Sequence, residues 1–262
     1  MADTDDPDKK LGMVEKVAKA IYLSQIQRAR SEVDKVDFDL SDFPEIFRRL
    51  SQEGETAQVL IFGSYLEDRI TGIIRTKMRH LSTKEDENNL FGPHGPLSSL
   101  SSRVLLSYQL GWISTDTKSK LDAFRKIRNH FAHKAYQARL SDPEIAKFLQ
   151  KLDYDPERML EVITAAAGAA AVGDSELNVA IITRDELTPE RRYLCNFAYL
   201  AEHTFRELLV FPIAIAHNLD PRSLGGDYDE SPEAIRRLYR LLTKALMSII
   251  LKPRIGEVTA SL

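Results

Sequence analysis

Apolar residues in this chain recur at helical steps, not alternating ones, along most of its length. Val59, Phe62, Leu66, Ile70 and Ile73 make one stripe, with Glu67, Asp68 and Arg69 beside it. Leu97, Leu100, Val104, Leu105 and Tyr108 begin a second, which stops at Gly111, a residue suited to the left-handed turn that closes a helix. Leu121, Phe124, Phe131 and Ala135 form a third. Tyr193, Phe197, Leu200, His203 and Thr204 form a fourth, and Ile235, Leu238, Leu241, Leu242, Ala245 and Ile249 a fifth. Asp142-Pro143-Glu144, Asp155-Pro156-Glu157, Thr188-Pro189-Glu190 and Ser231-Pro232-Glu233 each set a capping side chain before proline and then an acid. Proline there loses no useful N–H, and the acid faces the positive end of the helix dipole. These patterns predict helices over 12–32, 43–52, 55–80, 97–111, 116–137, 142–151, 156–170, 189–210 and 232–250.

Two connections break the pattern. Ser82 to Pro96 turns polar and then Gly/Pro-rich, which predicts a shaped loop. Leu177 to Thr183 carries branched side chains suited to a short extended segment, but one strand makes no sheet, so it reads as a packed connection. The Ala/Gly run at 165–172 reads as close helix packing, and both chain ends read as mobile. The predicted fold is all-α: an antiparallel bundle of 55–80, 97–111, 116–137 and 189–210, with additional N- and C-terminal helices. The expected division is an N-terminal helical extension at 1–50, the bundle at 51–215 and a C-terminal helical extension at 216–262.

Composition narrows the function classes. The 262 residues are 43% apolar and 29% charged, enough to bury a sizeable core. A formal charge of −3 provides no global field for nucleic acid, so any polyanion site must be a local patch. Cys195 is the only cysteine, which excludes an internal disulfide and a cysteine zinc cluster and fits a reducing cytoplasm. The opening ten residues are acidic and polar, unlike a secretory leader, and the longest apolar runs are too short to cross a bilayer. A cytoplasmic chain with no membrane association is the expectation.

Candidate chemistry concentrates in Arg128-Asn129-His130-Phe131-Ala132-His133. Arg128 falls on the apolar stripe of its helix, where a charge must find a partner or line a cleft. An arginine, an amide and a histidine together offer what phosphodiester cleavage needs: a fixed cation for a developing phosphorane and a proton carrier near neutral pH. The catalytic candidates are Arg128, Asn129 and His133; Arg125, Lys126, His130 and Lys134 are the binding candidates within a locally basic stretch. Three plainer readings stand beside these. Arg128 pairs with Glu67 or Asp68 as a structural arginine, His133 serves a helix C-terminus, or the basic residues form a solvated face. His130 and His133 make half a metal site at most, and no third ligand stands out, so neither metal nor cofactor is expected.

The string Gly95-Pro96-Leu97-Ser98-Ser99-Leu100-Ser101-Ser102-Arg103, continuing through Tyr108-Gln109-Leu110-Gly111-Trp112-Ile113-Ser114, resembles the mannitol-repressor family. So does Ile127 to His133, and the likeness covers roughly 55–140, extending toward the 189–210 helix. That family is all-helical. Arg128 and His133 also resemble the RxxxxH motif of the HEPN superfamily, in which paired motifs across a helical dimer form a metal-independent RNase site. That resemblance implies His133 as general base or acid, Arg128 on the non-bridging oxygens and Asn129 as orienting group. A spacing of five turns two side chains about 140° apart on a helix of roughly 3.6 residues per turn. A homodimer that brings two motifs together resolves this. Three functions remain: a metal-independent endoribonuclease, a non-enzymatic mannitol-repressor-like regulator acting through a protein partner, and a nucleotide or RNA binder without turnover.

Overall fold

A computed structural model describes residues 7–78, 83–134, 137–154, 188–225 and 230–250. Among these residues there are nine α-helices and one short 3-10 turn, and no strand. The helices are α1 (Pro7–Asp34), α2 (Phe43–Leu50), α3 (Glu55–Thr76), α4 (Lys84–Phe91), α5 (Leu100–Gln109), α6 (Thr115–Lys134), α7 (Pro143–Leu152), α8 (Pro189–Ala216) and α9 (Glu233–Ile250), with the 3-10 turn at Pro221–Leu224. The all-α expectation holds. The expected helix at 156–170, the Ala/Gly run, the Leu177–Thr183 segment and Ala135 lie outside the described residues.

The stripes read from sequence face one another. Phe62 of α3, Phe124 of α6 and Phe197 of α8 meet in a fully buried trio. Phe62 stacks on Phe197 at 4.9 Å between centroids, and Phe124 meets both edge-on at 5.0 and 5.2 Å. Phe47 of α2 closes on Phe62 at 5.7 Å. Edge-to-face and offset pairs of this kind add to the area that the rings remove from water. Around the trio, α3 lies against α6 and α8, α6 against α5 and α7, and α9 against α2 and α8. One continuous apolar core runs from Ala29 to Ile250.

Helix ends follow local chemistry. Pro143 and Pro189 open α7 and α8 in the first turn, as their sequences predict. Gly111, at φ +70°, closes α5: its N–H donates to the Tyr108 carbonyl while Trp112 N–H reaches back to Ser107 at 2.8 Å. That is a Schellman closure, and it requires the left-handed residue. α8 does not stop at 210 but runs through Pro212 to Ala216, where Asn218 (φ 55°) closes it in the same way, with Leu219 N–H donating to Ala214 O at 2.9 Å.

The expected loop from Ser82 to Pro96 is only half a loop. Thr83 caps a helix there by accepting from Asp86 N–H, and Glu85, Asp86 and Glu87 occupy its first turn. Arg75 of α3 pairs with Glu87 at 2.7 Å and lies over the Phe91 ring, so tertiary contacts hold a helix that lacks an apolar stripe. After it, Gly92 and Gly95 turn the chain so tightly that a β-carbon on either would come within 2.3 Å of a backbone carbonyl oxygen.

α1 behaves differently along its length. Ala29 and Val33 are buried, and this half packs on α8 and α9. Residues 13–23 are exposed on every side. Among the described residues no helix is long and apolar enough to cross a membrane.

Candidate functional site

Arg128 sits one turn beyond Phe124, so packing of the aromatic trio fixes where its side chain starts. It crosses α3 at Gly63, where a β-carbon would lie 2.8 Å from Arg128 Cδ and 3.0 Å from Nε. The missing side chain at Gly63 is what admits the arginine. The guanidinium then reaches Glu67, one turn along α3, with Nη2 at 3.9 Å from Oε2. Its Nε is buried and donates no hydrogen bond, while the side chain as a whole stays one-third exposed (34%).

Glu67 is shared. Arg103 of α5, only 8% exposed, donates from Nη1 to Glu67 Oε1 at 2.9 Å. Its Nε donates to Leu97 O at 2.8 Å, and its Nη2 to Ser98 O at 3.1 Å. The whole fork is thus used: two carbonyls of the loop before α5 and one carboxylate from α3. Ser99 caps α5 by accepting from Ser102 N–H. The Gly95 to Arg103 string is therefore a clamp that locks the loop onto α3. Sequence reasoning singled out Arg128 and offered Glu67 or Asp68 as its partner. It did not single out Arg103, the better-bonded of the two arginines.

The other candidates lie further along α6. Asn129 and His133 are exposed, one turn apart on α6. Arg128 is turned inward onto α3. His130 is half-buried; its Nε2 lies 2.7 Å from Asp142 Oδ2, and its Nδ1 3.4 Å from Glu144. Lys134 donates to both oxygens of Glu144 at 2.7 and 2.8 Å. The hydrogen bond from His130, then that from Arg139 N–H, holds the Asp142 carboxyl below its usual pKa, and the Lys134 hydrogen bond does the same for Glu144. Together they zip the end of α6 to the start of α7. Arg125 approaches Asp122 at 3.9 Å, and Lys126 lies over the Phe148 ring at 4.9 Å.

Neighbouring helices complete an arrangement that α6 alone did not reveal. Tyr108, Lys118, Lys126, Phe148 and Lys151 line a cleft of about 340 Å³ between α5, α6 and α7, with Asp122 inside it bonded to Lys118. At the N-terminus of α6, Ser114 caps the helix, and its own N–H and hydroxyl both donate to Glu207 of α8 at 2.8 Å. His203 and His217 pair with Glu202 and Glu32. Among the described residues no cluster of histidine, cysteine, aspartate or glutamate has the makings of a metal site.

The region that holds these ties is also the region with a known counterpart. Residues 66–177 match the family model described as Mannitol repressor, a span that contains Glu67, Arg103, Arg128 and the whole of α6. No curated protein and no solved structure matches the chain. The match starts later than the likeness read from sequence and continues past 140. Over residues 66–177, this chain is similar to the mannitol repressors.

Proposed function

We propose that this chain is a non-enzymatic regulatory protein of the mannitol-repressor kind, acting through a protein partner. One observation carries the reading. Arg128, the residue on which the catalytic alternative depends, is laid across Gly63 toward a carboxylate that a second, buried arginine also uses. Its stem is therefore turned onto α3, and its guanidinium ends beside a carboxylate that Arg103 already binds. A group that must close on a phosphorane is aimed at solvent instead. The match over residues 66–177 supports the same class. In a cell lacking the gene, His133→Ala should restore regulation of mannitol-inducible transcripts as well as the unaltered chain does. Failure of both proteins to restore it would overturn the reading.

A second reading is favoured by the exposure of Asn129 and His133 on one face of α6. In it, the chain is a metal-independent endoribonuclease whose Arg128, Asn129 and His133 meet a second copy's motif. Labelled RNA incubated with pure protein in EDTA separates the two. The regulatory reading expects intact RNA. Cleavage leaving 2′,3′-cyclic phosphate ends, lost in both His133→Ala and Arg128→Lys, would establish the enzyme, since removing a proton-transfer group costs about 10²–10⁴-fold in rate.

A further inference from the structure

Six of the ten large apolar side chains exposed among the described residues lie in the first half of α1. Met13, Val14, Val17, Ile21, Tyr22 and Leu23 are each 45–69% exposed, whereas exposed large apolar residues elsewhere among the described residues are scattered. Single exposed apolar residues are ordinary; six within three turns of one helix are not.

The pattern around the helix indicates what covers it. At about 100° per residue, Met13, Val14, Val17 and Ile21 fall within an arc of about 100°. Ala20 and Ser24 lie along the same strip, small enough to let another backbone approach. Glu15, Lys16 and Lys19 fall on the opposite side, together with Tyr22 and Leu23, so the strip itself is formed by four of the six. The strip is therefore uncharged, which disfavours a charged partner. Over residues 1–23 the four lysines are outnumbered by five acids, Asp3, Asp5, Asp6, Asp8 and Glu15, so the segment lacks the cationic excess that draws an amphipathic helix to an anionic lipid surface. A second copy of the strip suits it better. In an antiparallel pair centred on Val17, Met13 faces Ile21 of the partner subunit and Val17 faces its own equivalent, so the contact is self-complementary.

We infer that the projecting half of α1 pairs with the same segment of a second copy to make a homodimer. The seam removes on the order of 800 Å² in total, short of the roughly 1,200 Å² at which standard stable interfaces begin. The dimer is accordingly reversible, with dissociation in the micromolar range. It places the two-fold axis at α1, away from Arg128, and does not depend on the regulatory reading.

Sedimentation of the full chain at concentrations up to about 200 µM should show a monomer–dimer equilibrium. Val17→Asp and Ile21→Asp should be monomeric at every concentration, with helical circular dichroism unchanged because both side chains already face water. Cys195 is wholly buried, with its thiol pushed up to about 12 by that burial, so an added cysteine is the accessible thiol. Val17→Cys should oxidise to a disulfide-linked dimer, and Lys19→Cys on the opposite face should not. A wild-type monomer throughout, a dimer that survives either aspartate, or equal cross-linking at both cysteines would overturn the inference. So would a monomer that floats with phosphatidylcholine–phosphatidylglycerol vesicles and loses them on Val17→Asp, since lipid would then be the occupant.

Discussion

Glu67→Gln tests whether the arginine clamp holds the junction together. Glutamine preserves the size of the side chain and one acceptor oxygen but removes the charge that balances Arg103. Arg103 is 8% exposed and Glu67 24%. Breaking a fully buried pair by removing one partner costs about 3–5 kcal/mol. The cost here is smaller, because Glu67 is partly solvated and Arg103 keeps its bonds to Leu97 O and Ser98 O. A loss of about 2 kcal/mol follows, or a melting temperature lower by about 4–8 °C in a chain of this size. Arg128→Ala removes only a 3.9 Å contact from a one-third-exposed side chain, so it should cost about 1 kcal/mol or less. Urea titrations followed at a helical wavelength measure both. In Glu67→Gln combined with Arg103→Met, part of the single loss should return, because no unbalanced buried charge remains. A Glu67→Gln cost below about 0.5 kcal/mol, in the range of ordinary surface changes, would refute the clamp.

Two further outcomes follow from the same geometry. Gly95→Ala would set a β-carbon 2.3 Å from the Leu90 carbonyl oxygen, a backbone atom that cannot swing aside; a loss of about 2 kcal/mol or more in urea is expected, and an unchanged midpoint would mean that the loop is not built this way. Asp142 and Glu144 have folded-state pKa values below the ordinary 3.8 and 4.5. Their contribution is therefore present above those ordinary values and lost as pH falls through the folded ones; Asp142→Asn should flatten the acid limb of a melting-temperature profile below about pH 4, and an identical limb would remove the α6–α7 zipper.

The helical architecture was legible because its signals are local. The stripe Val59, Phe62, Leu66, Ile70 and Ile73 is buried throughout, and Gly111 closes α5 at the residue where the stripe ends. What escaped depends on distant partners. Lys84 to Phe91 has too few apolar residues for a stripe, and it is helical because Thr83 caps it and Arg75 holds Glu87. Pro212 reads as a stop, yet packing carries α8 past it to Ala216. The cleft beside Lys126 takes Tyr108 from α5 and Phe148 from α7, two residues with no helical spacing to α6.

The arginine on α6 shows where a motif and its meaning part. A charge on an apolar stripe is anomalous within one helix, and the anomaly alone admits two explanations, a reactive cleft or a partner across the bundle. Spacing to His133 favours the first only while the opposing surface is unknown. Glu67 was visible as a partner because it borders the α3 stripe. Gly63 was not, since a glycine within a helix costs about 1 kcal/mol relative to alanine whatever its reason. Once α3 and α6 are packed through Phe62 and Phe124, that glycine faces the arginine stem, and the guanidinium ends 3.9 Å from Glu67 with its Nε unpartnered. A helical RxxxxH element is therefore informative about catalysis only together with the residues on the facing helix. Bulk at the position opposite the arginine would force it outward toward solvent, and a glycine there, one turn before an acid, draws it in.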